Sequence, residues 1–155
     1  MYEELSSMKV ARYSPAIALL KDRFIISAGG SVSKAKYTNA TEIFDAGTNQ
    51  WMTLNSMHKP RGNTSMCAIA NRHIFIFQGL QPNVSPTANN VLEYMDLDSC
   101  DLPSFKSAKW ESITVMNQDF VLNEPTGSSQ LTPNDIILFG GKGNFTYLFN
   151  FLNVI

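Results

Sequence analysis

One phrase recurs three times along this chain: an aromatic, two residues, an aliphatic, two residues and a methionine. The copies are Tyr2/Leu5/Met8, Trp51/Leu54/Met57 and Trp110/Ile113/Met116. Each is followed by a short apolar stretch that ends at a glycine: 24–29, 74–79 and 136–140. The offsets from aromatic to glycine are 27 (Tyr2 to Gly29), 28 (Trp51 to Gly79) and 30 (Trp110 to Gly140). A chain with this constraint repeats one small structural unit about every 50 residues, and no unit can bury its apolar face alone.

The pieces inside each unit read as strands. The apolar runs are four to six residues long, rich in Ile, Phe, Val and Tyr, and bounded by Gly, Asn, Pro and Ser. No segment holds a helical period over ten residues, so the chain is expected to be all-β. Strands are expected at 15–20, 23–28, 41–44 and 50–54 in a first unit. The second should have them at 65–70, 73–78, 91–95 and 109–114, and the third at 128–132, 135–139 and 146–153. Four-stranded antiparallel units at this period are the signature of a propeller array. We therefore divide residues 1–155 into an orphan outer strand (1–8), a first blade (9–57), a second (58–116) and an incomplete third (117–155). The expected fold is a segment of about three blades, an incomplete ring. The second unit is longer because Tyr94 to Trp110 spans 16 residues where Phe44 to Trp51 spans 7. The extra residues, about 96–108, read as a tolerated surface loop.

Composition narrows the function classes. With 155 residues, 44% hydrophobic and 16% charged, the chain can build a real core. A net charge of −1 gives no electrostatic case for nucleic acid or an anionic membrane. The opening Met1-Tyr2-Glu3-Glu4 is acidic where a secretory signal is basic, and the run 16–20 is too short to span a membrane. Two cysteines, Cys67 and Cys100, make no disulfide framework. A reduced cytoplasmic setting is the expectation.

Chemistry-bearing motifs are absent from the sequence pattern. His58 and His73 have no second ligand at metal spacing. Cys67 sits mid-strand among apolar residues, where a thiol is inert core. The stretch Gly140-Gly141-Lys142-Gly143 lacks the spacing and the following helix of a phosphate loop. We expect no catalytic site, no cofactor and no metal.

The residues in phase resemble the kelch repeat. That motif has an apolar second strand ending in a glycine pair, an aromatic in the third strand and a Trp in the fourth. Here the glycines are Gly29 and Gly30, Gly79, and Gly140 and Gly141. The third-strand aromatics are Phe44, Tyr94 and Phe149, and the fourth-strand aromatics Tyr2, Trp51 and Trp110. Arg12 and Arg61 each follow a fourth-strand aromatic by ten residues. The departures are Leu80 for a second glycine, Phe120 for a third arginine and Tyr2 for a Trp. Large aromatics are expected to fill the space between twisted sheets, and the arginines to reach carbonyls or a carboxylate of an adjacent blade.

The resemblance implies a protein–protein interaction module: a substrate-recognition arm of a ubiquitin ligase, or a cytoskeletal or scaffold adaptor. Kelch partners dock on loops, which here are 31–39, 80–90, 55–61 and 116–125. Arg12, Lys34, Lys36, Tyr37 and Arg61 are the candidate partner-binding residues, of a kind that anchors acidic peptides. Self-association through open blade edges is a further expectation. The alternatives are a fragment of a kelch-fold oxidase or sugar epimerase, and a truncated product without independent function.

Overall fold

A computed structural model describes residues 2–77, 79–82, 91–97, 105–114, 127–140, 146–150 and 152. The strands are β1 (Ala16–Leu20), β2 (Phe24–Ala28), β3 (Ser31–Ser33), β4 (Lys36–Tyr37), β5 (Thr41–Asp45) and β6 (Gln50–Thr53). They continue with β7 (Ser65–Ile69), β8 (His73–Phe77), β9 (Val91–Asp96), β10 (Trp110–Thr114), β11 (Gly127–Thr132), β12 (Asp135–Phe139) and β13 (Thr146–Asn150). The fold is all-β. Three antiparallel sheets follow one another, ordered β1-β2-β5-β6, β7-β8-β9-β10 and β11-β12-β13, with β3 and β4 as a separate hairpin. Among the described residues the third sheet has no fourth strand. No helix among them is long and apolar enough to cross a membrane.

Local chemistry explains the strands. In β1 the alternation Ala16, Ala18, Leu20 inward and Ile17, Leu19 outward follows the two-residue pleat. Lys21 and Asp22 turn β1 into β2 with φ of +53° and +50°, and Ala70 and Asn71 turn β7 into β8 with +50° and +53°. Two successive positive φ values make a type I′ turn, whose twist matches the strands it joins. The Asn71 side-chain oxygen accepts from the Lys21 N–H (2.9 Å), tying the two turns together.

The second and third strands of the three sheets share one register, and this exposes the stacking rule. Phe24 lies opposite Asp45, His73 opposite Asp96 and Asp135 opposite Asn150. One face of the first sheet (Ala16, Ala18, Leu20, Phe24, Ile26, Ala28, Ile43) packs on Met66, Ile74, Ile76, Met95 and Trp110 of the second. The opposite face of the second sheet (Cys67, Ile69, Phe75, Phe77, Leu92) packs on Ile136, Leu138 and Phe149 of the third. We call the face a sheet turns to the next sheet its trailing face, and the face it turns to the preceding sheet its leading face. The trailing face of each sheet covers the leading face of the next, twice over.

Three expectations are corrected. Residues 2–7 form no strand: Tyr2 is fully exposed, and the segment lies along the first sheet. The stretch 31–39 is not an open loop but carries the β3–β4 hairpin. Gly79 does not stand where Gly29 does. Ser31 bridges Tyr13, and Leu80 bridges Gly62, so Gly79 takes the position of Gly30. Both glycines have positive φ, +96° and +113°, and a Cβ on either would meet a connector carbonyl at 2.7 Å. By the same register Tyr94 corresponds to Ile43, and Met95 to Phe44. Residues 98–104, most of the insertion in the second unit, and Gly141 lie outside the described residues.

Candidate interaction rim and the buried pairs behind it

The connectors between sheets are built around two carboxylates placed inside β5 and β9. Glu42 and Glu93 are fully buried. Glu42 accepts from the backbone N–H groups of Lys9 (2.8 Å) and Val10 (3.2 Å), and pairs with Arg12 at 2.5 Å. Fifty-one residues on, Glu93 accepts from the His58 N–H (2.7 Å) and pairs with Arg61. The Arg12 guanidinium also donates to the carbonyls of Gly29 (3.0 Å) and Ala40 (2.7 Å). Each carboxylate thus holds the end of a connector and the arginine that follows it. A buried charge needs such partners, because desolvation alone would cost several kcal/mol.

This overturns the placement of Arg12 and Arg61 on a partner-facing rim. Both side chains have 0% exposure, and their charge is spent on the fold. Burial pulls the Arg61 pKa down, against the stabilising charge of Glu93. The third unit lacks the device at both ends. Phe120 follows Trp110 at the arginine spacing, and Tyr147 stands across from Leu138 where the other sheets carry Glu.

A second ion pair repeats at the outer turns. Arg23 holds Asp45 at 2.6 Å and Arg72 holds Asp96 at 2.7 Å. The Arg23 hydrogen bond brings the Asp45 carboxyl down to about 2, helped by the N–H of Gly47 and the hydroxyl of Thr48. The third unit has Asn134 and Asn150 at these places, and Asn150 donates to Asp135 instead.

The fourth-strand aromatics differ in burial. Trp110 is wedged against the first sheet, where its indole N–H reaches the Thr41 hydroxyl and the Asn55 carbonyl, both at 3.1 Å. Trp51 is only partly buried, because among the described residues no sheet covers the leading face of the first unit. Its indole N–H donates to the Ser6 carbonyl at 2.9 Å, the position that Asn55 fills for Trp110. The Phe44 ring meets Trp51 at a tilt of 42°, with ring centroids 5.2 Å apart.

What remains free for recognition is a rim. Connectors and second-to-third-strand segments alternate along it: Tyr13 bridges Ser31, the β3–β4 hairpin follows, Tyr37 lies on Gly62, and Gly62 bridges Leu80. A Cβ on Gly62 would sit 2.4 Å from the Tyr37 ring, so the hairpin is clamped to the connector. Lys34, Lys36 and Lys59 are exposed, as is Tyr13. No Asp or Glu occurs between Asp22 and Glu42 or between Asp45 and Glu93. Of the other docking loops, 83–90 and 115–126 lie outside the described residues.

His58 and His73 do not converge. His58 Nδ1 is 3.0 Å from Glu93 and His73 Nδ1 is 3.8 Å from Asp96. Among the described residues no group of three His, Cys, Asp or Glu side chains could hold a metal ion. Burial pushes the Cys67 thiol up to about 11. No protein-family model matches this chain, and no curated protein matches it.

Proposed function

We propose that this chain is a kelch-type propeller segment that serves as a cytoplasmic protein–protein interaction module, its partner an acidic peptide segment. The observation that carries the reading is the β3–β4 hairpin. It projects Lys34 and Lys36 into solvent, is clamped by Tyr37 on Gly62, and stands in a stretch without acidic residues. A fixed hairpin loses little entropy on binding, and exposed lysines steer an acidic partner without the cost of burying charge. Tyr13 and Tyr37 add rigid aromatic area beside them. A ubiquitin-ligase arm or a cytoskeletal adaptor is the role such a rim would fit.

The test is capture of partners from cytosolic extract by the wild-type chain and by the double variant K34E/K36E. Charge reversal should weaken a specific partner by about tenfold or more, while the circular dichroism melt is unchanged. A set of partners indifferent to the two substitutions would refute the reading.

A further inference from the structure

Each junction inside the chain is made the same way, trailing face on leading face, and one face of each kind is left over. The leading face of the first sheet exposes Ile17 (62%), Leu19 (56%) and Ile25, beside the partly buried Trp51. Their counterparts in the second sheet are Met66, Ala68, Ile74 and Trp110, which pack against the first. The trailing face of the third sheet exposes Leu148 (63%) and Phe139 (46%) around Ile137. By register these three match Tyr94, Phe77 and Phe75 in the second sheet, the residues that face the third. The two leftover faces are therefore the two halves of an interface that the chain already builds twice.

The N-terminal segment carries the same message. Ser6 accepts from Trp51 as Asn55 accepts from Trp110, and Lys9 caps Glu42 as His58 caps Glu93. So residues 6–12 already form the connector of a junction. Residues 2–5 would then occupy the place of β6, the outer strand of the sheet before it. Among the described residues they pair with no strand, and Tyr2 and Leu5 are exposed. The third sheet, whose described strands end at β13, offers the matching edge. Trp51 pairs Phe44, so Tyr2 on that edge would pair Phe149.

We propose that a second copy of this chain docks head to tail. Its leading face covers the trailing face of the third sheet, and its residues 2–5 add to the edge of β13. Sheet edges and exposed apolar faces invite such association. A head-to-tail interface closes into a ring when the rotation permits. Propellers hold four to eight blades, and two copies of the three described sheets fall within that range. The inference rests on sheet stacking and is independent of the lysine rim.

Light scattering after size exclusion tests it on the full chain, with L19K in the leading face, L148K in the trailing face, and a deletion of residues 1–5. Leu19, Leu148 and residues 2–5 are exposed in the single chain, and circular dichroism melts verify that the variants fold. The wild type should be a defined dimer. Each lysine variant should raise the dimer dissociation constant by at least about tenfold, and the deletion should weaken the dimer as well. Mixing L19K with L148K should restore association, because that pair retains one intact junction of the two. A wild-type monomer with a cooperative melt would overturn the proposal. So would a polydisperse aggregate, or a dimer that tolerates either lysine substitution.

Discussion

Replacing Glu93 by leucine removes the partner of a guanidinium that water cannot reach. Both side chains of the pair have 0% exposure, so neither charge has solvent to fall back on. Breaking a buried pair from one side typically costs 3–5 kcal/mol, because the remaining charge stays desolvated and uncompensated. The His58 N–H, which donates to Glu93 at 2.7 Å, also loses its acceptor. For comparison, the Arg72 and Asp96 side chains are 45% and 37% exposed. Removing Arg72 should cost under about 1 kcal/mol, as solvent-screened pairs do. A domain of this size has about 5–15 kcal/mol to lose, so E93L should approach the unfolding threshold where R72A does not. The double variant R61M/E93L should recover most of the loss, since a buried pair replaced by apolar side chains of similar volume is often neutral. The chain's own third unit, with Phe120 and Tyr147 at these places, has the same apolar solution in its sequence. Urea midpoints at pH 7, with shared slopes, measure all four proteins. A loss under about 1 kcal/mol for E93L, or a double variant no better than the single one, would refute the reasoning.

Trp110→Ala should cost about 3–5 kcal/mol, as for a fully packed aromatic, and Trp51→Ala clearly less, both read from denaturant midpoints. Acid should weaken the first sheet through Asp45. Its carboxyl is near 2 when folded and about 3.9 in an unfolded chain, so its contribution is present above about pH 4 and is lost as pH falls toward 2. The stability difference between wild type and Asp45→Asn should therefore be flat from pH 7 to 5 and shrink below about pH 4. A difference constant to pH 2 would sink the assignment. Cys67 is buried with its thiol held near 11, so peptide-resolved labelling should find it unreactive at pH 7.5 until the protein unfolds. Rapid native labelling at that residue would place it elsewhere.

The strands were legible because their signals are local. Short apolar runs bounded by turn residues mark β1, β2, β7 and β8 to within a residue or two. The β3–β4 hairpin escaped because its strands are short and polar and are held by tertiary contacts, Tyr13 on Ser31 and Tyr37 on Gly62. The glycine alignment misled for a geometric reason. A spacing of fifteen links Gly29 to Phe44 and Gly79 to Tyr94. The bridges at Ser31 and Leu80 show that the two spans start one position apart. Glu42 and Glu93 carry a signal too: a carboxylate in the middle of a core strand needs a buried partner, and Arg12 and Arg61 supply it. Trp51 and Trp110 look alike in sequence because the residue does not record which sheet covers it.

The stacking of one sheet's trailing face on the next sheet's leading face is tested most directly by hydrogen exchange at the two indole N–H groups. Two-dimensional NMR resolves them, and their assignment follows from Trp51→Phe. Trp110, wedged on Thr41 and Asn55 of the first unit, should exchange only through global unfolding, with protection close to that of the slowest strand amides. Trp51, bonded to the exposed Ser6 segment, should exchange orders of magnitude faster in the single chain, measured at a concentration where light scattering shows no association. Equal, low protection at both indoles would contradict the stacked arrangement.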